Sequence, residues 1–159
     1  ILVDNGGNPL RRSIQQNDAR SILEIDEFKS TVNEKEVFLK TGSAITQQSV
    51  GPKLLWLSKN EPEHFQKTHW VMGSYDFINF LLTDNPVLEQ NWALESGLFD
   101  IHKNDWDDKL LELSLISREQ LPSFHSPSVI IGKVTSKAAK QTGLKEGTPV
   151  VAGSADQVP

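Results

Sequence analysis

Two short polar runs carry residue types that could do chemistry. Gly153-Ser154-Ala155-Asp156-Gln157 follows directly on the apolar run Thr148-Pro149-Val150-Val151-Ala152. In α/β sheets the carboxyl end of a strand is where ligands bind and where catalytic carboxylates are set. Small residues ahead of Asp156 let backbone and substrate approach closely. A carboxylate there can accept a proton from a hydroxyl, the task of a general base in phosphoryl transfer to an alcohol. The alternative is that Asp156 caps a following helix. The second run, Asn17-Asp18-Ala19-Arg20, falls at a strand-to-helix junction. An Asp and an Arg there can face a ligand or pair with each other as a structural unit.

Other chemistries find no support. The chain has no cysteine, hence no disulfide, thiolate metal site or thiol nucleophile. Its four histidines, His64, His69, His102 and His125, show neither i, i+4 pairing nor an H-E-x-x-H pattern, so no metal site is expected. There is no G-x-S-x-G elbow and no G-x-x-x-x-G-K-[ST] loop. Asn5-Gly6-Gly7-Asn8-Pro9 reads as a hairpin turn, because Pro9 interrupts any row of backbone donors. Asp105, Asp107 and Asp108 read as a solvated helix start. Trp56, Trp70, Trp92 and Trp106 have aliphatic neighbours, and core packing is expected for at least three of them.

The 159 residues are 37% apolar and 23% charged, with 21 acidic against 16 basic side chains and a net charge of −5. A general nucleic-acid binder would carry a basic surplus. No apolar run approaches the ~18 residues of a membrane span, and no charged-then-apolar leader opens the chain. The reading is a cytoplasmic protein with neither nucleic acid nor membrane as partner. The first residues, Ile1-Leu2-Val3-Asp4, lack an initiating Met, and the chain stops just past an apolar strand. Both ends therefore read as those of an excised piece.

The elements that must position the two polar runs mix helix and strand, with more helix. Residues 1–4 form a strand, with 10–15 returning as the second arm of a hairpin. Asn17 or Asp18 caps a helix to about residue 30, with Ile22, Leu23, Ile25 and Phe28 inward and Glu24 outward. Residues 34–40 form a weaker segment. A largely buried helix runs over 50–59, with Pro52 in its first turn, followed by a short helix over 61–67. Trp70-Val71-Met72 is a short apolar stretch. Ser74 caps a helix to about residue 82. Residues 91–101 read as extended, 104–113 as a helix, and 129–134 as a strand. Thr135 caps a helix over 136–142 that ends at Gly143, and the last strand is 150–152. The class is α/β or α+β.

The run Gly51-Pro52-Lys53-Leu54-Leu55-Trp56-Leu57-Ser58-Lys59-Asn60-Glu61-Pro62-Glu63 resembles the first signature of the FGGY carbohydrate kinases, in its PKLLWL…NEPE form. Ser74-Tyr75-Asp76-Phe77-Ile78 resembles the family's SYDYI helix start. Gly97-Leu98-Phe99-Asp100-Ile101 resembles its TGLFDI segment, with Trp106 after it. Thr142-Gly143-Leu144 and Gly147-Thr148-Pro149-Val150-Val151-Ala152-Gly153 resemble its TGL…GTPVvaG run, and residues 1–20 its opening hairpin and nDxR helix start. The likeness covers nearly the whole chain in order and is closest to the xylulokinase-type members.

The resemblance implies a partial ribonuclease-H-like domain of the actin/hexokinase type, with residues 1–159 the later part of the amino-terminal, sugar-binding domain. The phosphate-loop segment and the carboxy-terminal domain would lie outside it. It implies a parent that moves the γ-phosphoryl group of ATP, with Mg²⁺, to a hydroxyl of a small sugar such as the ketopentose xylulose. The fragment alone is expected to be inactive and to hold no cofactor. Asp156 falls on the family's catalytic Asp and Gln157 on its sugar-touching amide. Asp18 and Arg20 match the nDxR pair near the sugar pocket. Gln48 sits where glycerol-type kinases place an aromatic substrate contact. The sequence departs from the signature at Gln48 and Val50, and Gln157 follows the glycerol-kinase-like rather than the usual xylulokinase form. That leaves glycerol, gluconate or another polyol open as acceptor, and a non-catalytic sugar-binding relative as the other class. A homodimer is compatible with the family.

Overall fold

The computed structural model describes residues 1–155. The chain divides into two compact units, each assembled from two separate stretches. Unit 1 is Ile1–Val71 with Ala93–Leu121, and unit 2 is Met72–Trp92 with Pro122–Pro159.

In unit 1, β1 (Leu2–Val3) pairs antiparallel with β2 (Trp70–Val71). The turn between Asp4 and Asn8 is held by the Asp4 carboxylate, which accepts the N–H groups of Gly6 at 2.9 Å and Asn8 at 2.8 Å. The expected return arm is shorter than residues 10–15. It amounts to a bridge between Val3 and Pro9 and a bond from Leu10 N–H to the Leu2 carbonyl. Beyond it the chain leaves the ladder.

Helix α1 is Ile22–Thr31 and starts later than Asn17 or Asp18 would place it. Ser21 is its N-cap, because the Asp18 carboxylate is taken by Arg20 instead. Its inward stripe is Ser21, Glu24, Ile25 and Phe28, at three- and four-residue spacing. Ile22 and Leu23 flank this stripe and are 60% and 73% exposed, against expectation. Glu24 is buried, with the Lys59 ammonium 3.5 Å away. Helix α2 (Glu34–Thr41) is capped by Asn33 and ends at Gly42. Helix α3 (Val50–Asn60) packs on α1, on α4 (Pro62–Gln66) and on α7 (Asp108–Leu113), and buries Leu54, Leu55 and Leu57. Gly51 is required by close approach. A Cβ there would lie 2.8 Å from Ser114 Oγ and 2.9 Å from the Phe28 ring.

Residues 91–101 are not extended throughout. They hold most of α6 (Gln90–Glu95), a turn at Gly97, and β4 (Phe99–Asp100). The helix expected over 104–113 begins only at Asp108. Asp105–Trp106 is a strand, β5, antiparallel to β4. There the Trp106 ring meets Phe99 edge-on at 5.5 Å, burying an aromatic pair that a helical start would have splayed. Asp107 caps α7 by accepting Leu110 N–H at 3.0 Å, and its other oxygen takes Lys40 Nζ at 2.7 Å. A 3₁₀ turn at Arg118–Gln120 ends the unit. Trp106 is the one tryptophan that is fully buried; Trp56, Trp70 and Trp92 are half-buried, fewer in the core than expected.

In unit 2, α5 (Ser74–Thr83) is capped at Gly73 rather than Ser74. A Cβ at Gly73 would sit 2.5 Å from the Trp92 ring, so the position tolerates no side chain. Strand β3 (Leu88–Glu89) runs parallel to β6 (Phe124–His125). Strand β7 (Ile130–Lys133) pairs antiparallel with β8 (Pro149–Val151), with a register shift between Ile130 and Gly132. Helix α8 (Ser136–Thr142) has Thr135 as cap and Gly143 at φ +78° as its end, as the sequence predicts. The last strand is less buried than its composition suggests. Pro149 and Val151 are exposed, while Ala152 packs with Val87 and Ile131.

Candidate functional site

In unit 1 the residues ahead of α1 form a compact cationic and aromatic arrangement. Arg20 grips Asp18 through two nitrogens, Nε to Oδ1 at 3.0 Å and Nη2 to Oδ2 at 2.8 Å, while Arg20 N–H also donates to Oδ1. This bidentate grip holds the Asp18 carboxyl down at about 2. Asp18 is thus a fixed anion with both oxygens engaged, and a poor proton acceptor. The guanidinium lies 4.9 Å from the centroid of the Trp56 ring. Trp56 and Lys53 project from α3 one turn apart. Lys53 is buried and donates its ammonium to the main-chain carbonyls of Gln15 at 2.8 Å and Gln16 at 3.0 Å. Burial pushes its pKa down, and the Asp18 charge opposes that shift. So α3 supplies both the pin for residues 15–16 and the platform for Arg20.

The structure joins Asp18 to Arg20 in an ion pair, the structural alternative to their facing a ligand. Gln48 is exposed and uses its backbone N–H, which donates to Thr46 Oγ1 at 3.2 Å. No hydrogen bond among the described residues joins it to the Asp18–Arg20 pair. Asp156 and Gln157 lie outside the described residues. Lys53 and Trp56 were visible as signature residues, but their contacts were not. The only local hint was their i, i+3 spacing on one helix.

Unit 2 holds a second polar set, which the sequence reading missed. Asp76 and Glu89 are both fully buried. Asp76 accepts Glu89 N–H at 2.8 Å and Gly73 N–H at 3.2 Å. Burial pushes Asp76 up to about 7; the two N–H groups work against this and the Glu89 charge adds to it. Glu89 accepts Asn91 N–H at 2.9 Å and Tyr75 O–H at 3.3 Å. Two asparagine amides then reach the segment leading toward Asp156. Asn79 Nδ2 donates to the Ala152 carbonyl at 2.7 Å, and Asn91 Nδ2 to Ser154 Oγ at 2.9 Å. The visible signal was the spacing of Asp76, Asn79 and Thr83 along one face of α5.

Among the described residues no group of three or more His, Asp or Glu side chains is placed to hold a metal ion. The three aspartates around β5 and the start of α7 are paired with cations, Asp105 and Asp108 with Arg118 and Asp107 with Lys40. No helix among the described residues is long and apolar enough to cross a membrane.

Known proteins share this architecture over nearly its full length. The chain superposes on the xylulose kinase of Rhodospirillum rubrum with a TM-score of 0.94 at 40% identity, covering 98% of this chain and 32% of that one. It superposes on the gluconate kinase of Lactobacillus acidophilus with a TM-score of 0.88 at 25% identity, covering 98% of this chain and 32% of that one. These neighbours define the class, an α/β domain of the actin/hexokinase type with more helix than strand. Residues 1–159 match the family described as the FGGY family of carbohydrate kinases, N-terminal domain, and the chain belongs to that family. Among curated relatives, a probable L-xylulose kinase of Pasteurella multocida is 32% identical over 99% of this chain. The chain spans about a third of the length of that relative.

Proposed function

We propose that the protein containing this chain is an ATP-dependent kinase that phosphorylates a hydroxyl of a small sugar, a ketopentose such as xylulose. The observation that carries this reading is the family match from end to end, and in it Asp156 is taken as the catalytic carboxylate.

In this reading Asp156 accepts the proton of the acceptor hydroxyl as its oxygen attacks the γ-phosphorus of ATP. The bond to the bridging oxygen breaks and ADP leaves. The rate comes from positioning, because a sugar hydroxyl is a poor nucleophile at neutral pH. Gln157 hydrogen-bonds the acceptor, and Gln48 offers an exposed amide for a further hydroxyl. Asp18 and Arg20 contribute a rigid charged wall. The carboxylate of Asp18 is spent on Arg20, which favours a binding role over a proton-transfer role. Mg²⁺ neutralises charge on the ATP phosphates when bound. Among the described residues no group of three or more His, Asp or Glu side chains could hold it. The protein works in the cytoplasm, where ATP is abundant.

A second acceptor class has a specific observation in its favour. Gln157 follows the glycerol-kinase-like form of the motif, and a gluconate kinase is among the structural neighbours. Glycerol and gluconate therefore belong beside xylulose in the test.

That test is Asp156→Asn in the full-length protein, with ADP release measured across a sugar and polyol panel. Turnover on the best acceptor should fall at least about 100-fold, with sugar affinity largely kept. Unchanged turnover would remove Asp156 from the mechanism, and no turnover by the unsubstituted protein on any sugar or polyol would leave a sugar-binding relative. The 159-residue chain alone should release no ADP.

A further inference from the structure

The buried polar set of unit 2 ends on the residues just ahead of Asp156. Asn79, on α5, binds the main-chain oxygen of Ala152. Asn91, in α6, binds the hydroxyl of Ser154. Both asparagines are anchored from behind. Asn79 shares α5 with Asp76, whose carboxylate takes the backbone of Gly73 and Glu89. Asn91 is tethered by its own N–H to the Glu89 carboxylate. Just beyond the β7–β8 pair there is a third tie, since Ala152 N–H donates to the Val129 carbonyl at 2.9 Å. The last strand is paired on one side only among the described residues. The Asn79 amide therefore gives the Ala152 carbonyl the donor that a neighbouring strand would otherwise supply, and the Asn91 amide adds a side-chain tie at Ser154.

We propose that Asn79 and Asn91 are positioning residues, which fix the chain at Ala152 and Ser154, the described residues that lead in sequence to Asp156. The proposal rests on the reading of Asp156 given above. Neither asparagine is a proton donor or acceptor in the reaction. Asn79 holds the chain four residues, and Asn91 two residues, ahead of Asp156 in sequence. A misplacement of about 1 Å at a reacting group costs on the order of 100-fold in rate.

The test uses the full-length protein, with Asn79→Leu, Asn79→Gln, Asn91→Ala, Ser154→Ala and the Asn91→Ala/Ser154→Ala double variant. Asn79→Leu should lower kcat by about 10- to 100-fold, with KM for sugar and for ATP within about threefold of the original. Asn79→Gln, which keeps an amide, should recover part of the loss. The double variant should be no slower than the slower of its two single variants, because both remove the same bond. Ser154 is exposed, so its truncation tests the idea without threatening the fold. A second measurement does not depend on turnover. Amide exchange across residues 152–155 should quicken in Asn79→Leu while α8 keeps its protection. Unchanged exchange there, or an unchanged kcat with only a lower Tm, overturns the proposal. The reading of Asp156 fails by a different result, namely full turnover by Asp156→Asn while residues 152–155 still loosen in Asn79→Leu.

Discussion

The ammonium of Lys53 lies 2.8 Å from the main-chain oxygen of Gln15, a residue 38 positions earlier in the chain. A second bond to Gln16 makes this side chain the pin that joins α3 to the segment carrying Asp18 and Arg20. Lys53→Met keeps the aliphatic bulk and removes the donor. Two carbonyls then lose a charged partner, and stability should fall by about 1.5–3 kcal/mol. Denaturant titration gives the change, and amide exchange over residues 15–20 should quicken. A wild-type midpoint with unaltered exchange would refute the pin.

Asp76 makes stability depend on pH. Its carboxyl sits at 3.8 ordinarily and at about 7 in the fold. Between those values the folded chain holds a proton that the unfolded chain has released. This contribution is present in full below about pH 4, is lost as pH rises through about 7, and is level above that, for a total of up to about 4 kcal/mol. Asp76→Asn removes the ionisation, so its stability relative to wild type should improve from pH 4.5 to pH 8. Parallel stability curves over that range would contradict this assignment.

Gly51 is expected to accept no side chain. A methyl group would meet Ser114 Oγ at 2.8 Å and the Phe28 ring at 2.9 Å. Gly51→Ala should therefore destabilise by about 1–3 kcal/mol despite the better helix propensity of alanine. Ser114→Gly/Phe28→Leu in the same chain should recover part of that loss. Urea midpoints of the four combinations decide the matter, and a stabilising Gly51→Ala would show that the helices can separate.

The inward stripe of α1 and the buried face of α3 can be checked by paired truncations. Leu54 is 2% exposed, and Leu54→Ala should cost about 2–5 kcal/mol. Leu23 is 73% exposed, and Leu23→Ala should stay within about 0.5 kcal/mol of wild type. A large loss at Leu23 would mean that a partner surface covers it.

Local signals were legible where one residue carries them. Thr135 and Gly143 bracket α8 because a hydroxyl cap and a positive φ are decided within a few residues. The long apolar run from Leu54 marked α3 as buried without any knowledge of its neighbours. Short segments defeated pattern reading. Residues 91–101 hold too few positions to separate a one-turn helix from an extended run. Asp105 and Trp106 joined a strand because Phe99, distant in any local window, offered an edge-to-face partner. The buried pair of Asp76 and Glu89 was illegible for the same reason, since carboxylates read as surface until something shows what covers them. Of the site, the Asp18–Arg20 pairing could be read from adjacency alone. The reach of Lys53, Asn79 and Asn91 across the fold could not.

Each unit draws on two stretches of chain, and the stretches alternate. Vectorial synthesis therefore cannot finish one body before beginning the other. Unit 1 lacks Ala93–Leu121 until the ribosome has already extruded Met72–Trp92. During that interval Val87 is out in solution before Ile131 and Ala152 exist to cover it, and Leu88 before Phe124 can pair with it. Nascent chains of this sequence should thus recruit holding chaperones until residues 122–152 have emerged, and a nick anywhere between 71 and 122 would leave neither half with a complete interior.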